Sequence, residues 1–142
     1  MSTATIKPPP LRFAMLEQYS LVEYAGLALA GPWKALIPAG DGQPVLVLPG
    51  FTASDRSTRP LRQVLRDKGF RAHGWGLGQN LGPRPRIVDG LGERLAELQS
   101  RYDTPISVVG WSLGGIYARE LARLAPASVR QVITLASPLR TS

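Results

Sequence analysis

The feature that most constrains how this chain can fold is a pair of short apolar runs, Val45-Leu46-Val47-Leu48 and Ile106-Ser107-Val108-Val109, each leading straight into a glycine-containing turn. A strand with one wet face alternates apolar and polar residues, whereas a strand buried on both faces does not. Runs of this length and composition therefore point to a parallel sheet covered by helices on its two sides. The intervening sequence supplies those helices. One is expected from near Ser57 and Thr58, with Pro60 in its first turn, Leu61, Val64 and Leu65 on one face, and Gly69 at its end. A second places Leu91, Leu95, Leu98 and Tyr102 along one side and Glu93, Arg94, Glu97 and Arg101 on the other, and reverses at Asp103-Thr104-Pro105. A third runs to about Ala125, with Gly114, Ala118 and Ala122 giving a smooth face that lets backbone approach the sheet. Strands from Phe70 to Trp75 and from Val129 to Leu135 complete an alternation of four strands and three helices. Right-handed crossovers arrange such an alternation as an α/β fold, a mainly parallel sheet with flanking helices.

Residues 44–142 form this core, and residues 1–43 read as an N-terminal amphipathic helix and a turn-rich connector. Between Phe13 and Gly31, Leu21, Val22, Ala25, Ala28 and Leu29 recur at helical spacing, but Glu17, Gln18 and Glu23 interrupt the apolar stretch of about 20 residues that a membrane span needs. A helix packed on its own domain is expected, in a cytoplasmic protein, with weak contact to a membrane surface as the alternative. The chain has no cysteine, which removes disulfides, thiolate metal sites and a cysteine nucleophile. Its net charge of +7 formally suits a nucleic-acid binder. The arginines, among them Arg56, Arg59, Arg62, Arg66, Arg84, Arg86, Arg94 and Arg101, are instead scattered over several helices without a binding motif, so they read as a solvated surface. No nucleic-acid partner is expected, and nucleic-acid binding stands as the distant alternative. No metal-ligand cluster or nucleotide-binding motif occurs, so neither a metal nor a cofactor is expected.

The sharpest motif is Gly110-Trp111-Ser112-Leu113-Gly114, a G-x-S-x-G pattern between an apolar strand and an amphipathic helix, followed by Gly115. In a sharp strand-to-helix turn the central serine is held in a strained conformation, and side chains two residues before and after it would collide. Glycine at 110 and 114 removes both clashes and leaves the serine oxygen at the C-terminal edge of the sheet, where ligands bind in such folds. Upstream, Leu46-Val47-Leu48-Pro49-Gly50-Phe51 has the form of a strand opening an oxyanion-hole loop, in which the N–H groups of Phe51 and Leu113 donate to a developing oxyanion. His73, the one histidine, precedes the serine and reads as a structural or pocket-lining imidazole. Asp55 either orients it or occupies a helix N-terminus favoured by the helix dipole.

From about Pro44 onward the chain resembles bacterial α/β-hydrolases of the esterase and lipase kind. The resemblance rests on Phe51-Thr52-Ala53-Ser54-Asp55, on His73-Gly74-Trp75-Gly76-Leu77-Gly78-Gln79-Asn80, on the Ser112 motif, and on Thr134-Leu135-Ala136-Ser137-Pro138. Leu139 and Arg140 stand where lipases continue with histidine and glycine, which makes esterase the better-fitting label. The resemblance implies a Ser-Asp-His triad whose acid and histidine follow the serine, yet after Ser112 the sequence has only Glu120 and no histidine. The expectation is the front part of a truncated α/β-hydrolase fold whose complete form hydrolyses small-molecule or lipid acyl esters through Ser112. The alternative is a non-catalytic or decayed module. An apolar last strand, Val132-Ile133-Thr134-Leu135, is further expected to favour self-association through an exposed sheet edge.

Overall fold

A computed structural model describes residues 38–135. The amphipathic segment at 13–31, its suggested membrane contact, and the tail at 136–142 lie outside the described residues. Strands β1 (Pro44–Leu48), β2 (Arg71–Gly74), β3 (Ile106–Trp111) and β4 (Val129–Leu135) alternate with helices α1 (Asp55–Asp67), α2 (Pro85–Tyr102) and α3 (Leu113–Leu124). All pairings are parallel and the sheet order is β2-β1-β3-β4. β1 and β3 are central and buried along their whole lengths, as their unalternating sequences require. β4 lies at an edge and leaves Ile133 exposed.

The two faces of the sheet carry separate cores. On one, Leu46, Leu48, Ile106 and Val108 pack with Trp75, with Ile87, Leu91, Leu95 and Leu98 of α2, and with Tyr117, Ala118 and Leu121 of α3. On the other, Val45, Val47 and Val109 pack with Leu61 and Leu65 of α1, Phe70 and Leu135. Even-numbered residues of β1 and β3 thus face α2 and α3, and odd-numbered ones face α1, the period-two rule seen from both sides.

The start of α1 differs from expectation. The helix begins at Asp55, so Pro60 lies inside it rather than in its first turn. A proline there removes a main-chain donor from the early helix. Independently of that, the Asp55 carbonyl at the helix start accepts side-chain donors, Thr58 Oγ1 at 3.2 Å and Arg62 Nη2 at 2.6 Å. Gly69, with φ of +94°, turns the chain toward β2.

Four arginines assigned to the solvated surface hold backbone instead. Besides Arg62, Arg66 donates to the Ala72 carbonyl, Arg86 to Leu77 and Arg94 to Gly74. Three of these four acceptors lie in β2 or the irregular loop after it, where strand pairing on one side only leaves carbonyls to be satisfied. The basic composition therefore has a structural use around the edge strand.

Candidate functional site

Because every strand is parallel, the N-termini of all three helices open on the C-terminal edge of the sheet. The turn from β3 to α3 is the tightest of these. Ser112 sits between Trp111 and Leu113 with φ 52° and ψ −116°, a backbone conformation that L side chains rarely adopt. Its N–H donates to the Leu135 carbonyl at 2.8 Å, and its own carbonyl accepts the Gly115 N–H at 2.9 Å. The turn is fastened to β4 on one side and to its own helix on the other, which is how surrounding structure holds a strained residue in place.

The flanking glycines are sterically required. A Cβ at Gly110 would collide with the backbone of Gly114 and Gly115. A Cβ at Gly114 would collide with the Leu48 carbonyl and lie 2.7 Å from the Pro49 carbonyl oxygen. The start of α3 therefore rests directly on the end of β1, and the loop that carries Phe51 begins at that contact. Leu113 is the first residue of α3, so its N–H has no intrahelical acceptor and lies at the positive end of the helix dipole. Trp111 is buried, and its indole N–H has no hydrogen-bond partner among the described residues.

The loop after β1 is stitched to the loop after β2. Thr52 adopts φ of +66°, an outlier for a β-branched residue. Its N–H donates to the Asn80 carbonyl at 2.6 Å, its carbonyl accepts Gln79 Nε2 at 2.9 Å, and the Asn80 N–H donates to the Ala53 carbonyl at 2.8 Å. Asn80 is fully buried. Sequence reasoning gave it no role of its own, because asparagine in a glycine-rich segment ordinarily reads as an exposed turn residue.

His73 and Asp55 are not drawn into the turn. His73 pairs in register with Leu46, which pairs with Val108, so His73 lies two strands across from Ser112 and four residues short of it. That amounts to roughly 10 Å laterally and roughly 13 Å along the strands. Its Nε2 is 2.6 Å from the Tyr102 hydroxyl at the far end of α2. Asp55 is the first residue of α1 and accepts the N–H groups of Trp75 at 2.9 Å and Gly76 at 3.0 Å. It closes the turn after β2 through these two amides. Glu120, the other carboxylate of interest, is exposed and paired with Arg123. Among the described residues no group of three or more histidine, cysteine or acidic side chains is placed to hold a metal, and no helix is long and apolar enough to cross a membrane.

Comparison with known proteins agrees with this geometry at the level of the fold. No protein-family model matches the chain. Over 106 residues it is 28% identical to a pimeloyl-[acyl-carrier protein] methyl ester esterase of Aliivibrio salmonicida, a match spanning 71% of this chain and 38% of the esterase. The crystal structure of Bacillus licheniformis lipase BlEst2 in its propeptide form superposes on 72% of the chain with a TM-score of 0.56 and 21% identity, covering 24% of that lipase chain. The mature form gives 0.55 and 21% over the same share of this chain and 43% of its own. The chain thus spans less than half the length of these proteins, and it shares with the two lipase structures an α/β fold, a parallel sheet flanked by helices.

Two outcomes test the site's physics. Ser112→Gly and Ser112→Ala both lose the hydroxyl, but only glycine tolerates the positive φ, so the glycine variant should be the more stable by about 1 kcal/mol or more in urea unfolding. Equal stability would mean that the turn is unstrained. Burial, and then the nearby Arg94, Arg101 and Arg66, hold the His73 imidazole below its ordinary pKa, with Glu97 opposing them. Stability linked to His73 is therefore full above its unfolded value of about 6.5 and is lost as pH falls through the depressed folded value. Wild type should lose more stability than His73→Gln on going from about pH 7.5 to about pH 5.5; parallel losses would contradict the shift.

Proposed function

We propose that the chain is the nucleophile-bearing part of a serine hydrolase acting on carboxylic esters, with Ser112 as the attacking group. The observation that carries this reading is the strained backbone of Ser112 between two glycines whose Cβ positions are occupied by neighbouring backbone. Such strain is kept where the surrounding structure repays it through function, and it presents the serine hydroxyl at the ligand-binding edge of the sheet. In the proposed reaction Ser112 Oγ bonds to the acyl carbon while its proton passes to a base, and the carbonyl oxygen becomes an oxyanion held by the N–H groups of Phe51 and Leu113. Collapse expels the alcohol, which takes up that proton, and water then cleaves the acyl-enzyme to release the acid. Gly110, Trp111, Gly114 and Gly115 shape the turn. The relatives' names, a methyl ester esterase and a lipase, support an acyl ester as the substrate class.

The base belongs to the complete protein in this reading. His73 lies two strands away from Ser112, and Glu120 is engaged with Arg123. The same observation favours, as second reading, a non-catalytic module that keeps the turn without its base.

In the complete protein, Ser112→Ala should lower kcat for 4-nitrophenyl butyrate by at least about 10³-fold with the far-ultraviolet circular dichroism unchanged. Turnover at the wild-type rate would remove Ser112 from the mechanism. Wild type without turnover, and without stoichiometric modification of Ser112 by a fluorophosphonate, would favour the non-catalytic module.

A further inference from the structure

We infer that Asn80 is a positioning residue for the Phe51 N–H, fixing the loop after β1 against the Ser112 turn through Pro49 and Tyr117; this rests on the serine-hydrolase reading above.

Phe51 lies in a segment without regular secondary structure, so its amide direction depends on whatever clamps the residues around it. Asn80 clamps them on both sides. Its Nδ2 donates to the Pro49 carbonyl at 3.0 Å, its backbone carbonyl accepts the Thr52 N–H at 2.6 Å, and its N–H reaches the Ala53 carbonyl at 2.8 Å. The Pro49 carbonyl that Asn80 holds is also the one against which Gly114 packs, so a single oxygen ties the loop to the start of α3.

The opposite side of the same amide reaches α3 itself. Asn80 Oδ1 accepts the Tyr117 hydroxyl at 3.3 Å and the Gly82 N–H at 3.2 Å, which uses both of its lone pairs. Tyr117 is four residues after Leu113 and hence on the same side of the helix. Burial raises the Tyr117 pKa, which keeps the phenol protonated and able to donate. The two proposed oxyanion donors, Phe51 on the loop and Leu113 on the helix, are therefore referenced to one buried side chain.

The energetics agree with a positional role. A fully buried amide is costly unless its hydrogen bonds are made, and a satisfied network specifies one geometry. The positive φ of Thr52, immediately after Phe51, is held by bonds from Asn80 and Gln79, so local strain is maintained where donor placement matters. Donors of an oxyanion hole act mainly in the transition state, and a displacement of about 1 Å can cost about 10²-fold in rate. Loss of the clamp should therefore be read in kcat and not in KM.

The test uses Asn80→Asp, which is isosteric but puts an acceptor against the Pro49 carbonyl, and Tyr117→Phe, which removes one hydroxyl and keeps the packing, both in the complete protein. With 4-nitrophenyl butyrate, kcat should fall about 10- to 100-fold in Asn80→Asp and about 3- to 10-fold in Tyr117→Phe, with KM within about threefold of wild type. Amide hydrogen exchange should accelerate across residues 50–53 in both, with the centre of α2 unchanged. Folded variants with wild-type kcat would overturn the inference even if their Tm fell, since a merely stabilising Asn80 would lower Tm alone. Unchanged exchange across 50–53 would overturn it without reference to activity. If wild type itself shows no turnover and no Ser112 labelling, the hydrolase reading fails, while the exchange data still decide whether Asn80 anchors the loop.

Discussion

The rest of the architecture depends on the contact between the first turn of α3 and the C-terminal end of β1. Gly114 can lie against the Leu48 and Pro49 carbonyls only because it lacks a Cβ, and Gly110 tolerates Gly114 and Gly115 for the same reason. That approach lets β3 turn into α3 within one residue, and the one residue is Ser112 at positive φ. Any larger side chain at 110 or 114 would push helix from sheet and relax the turn. Close packing and the strained serine are therefore the same structural fact viewed from two sides.

Around this contact the protein uses polar anchors where regular pairing runs out. β2 is an edge strand, and its carbonyls at Ala72 and Gly74 are satisfied by Arg66 and Arg94, while Asp55 collects the Trp75 and Gly76 amides. Asn80 completes the set by joining the loops after β1 and β2. Each anchor is a side chain from a helix or loop that satisfies backbone which the sheet cannot reach. The irregular segments are thereby given one geometry.

Much of this was legible in the sequence, for physical reasons that differ by element. The buried runs at Val45–Leu48 and Ile106–Val109 announced central parallel strands because nothing else tolerates an apolar residue on both faces, and the stripe of Leu91, Leu95 and Leu98 announced its helix by period alone. The strand-to-helix turn at Ser112 was legible because two glycines at fixed spacing answer a steric demand. Less was legible where the determinants are tertiary. Pro60 suggested a later helix start because local rules place proline in the first turn, but Asp55 is fixed there by amides 20 residues away. Arg66, Arg86 and Arg94 read as solvated since their carbonyl acceptors lie on other elements. Asn80 was hidden for the same reason, its burial being set by Tyr117 and Pro49, distant in sequence.

The most direct measurement is a crystal structure of the complete protein after reaction with a 4-nitrophenyl alkylphosphonate, which phosphonylates a serine with loss of 4-nitrophenolate. Phosphorus bonded to Ser112 Oγ, with a phosphonyl oxygen about 2.7–3.1 Å from the amide nitrogens of both Phe51 and Leu113, is the expected result. An unmodified Ser112, or an adduct whose oxygen points away from both amides, would contradict the assignment of this turn as the seat of ester hydrolysis.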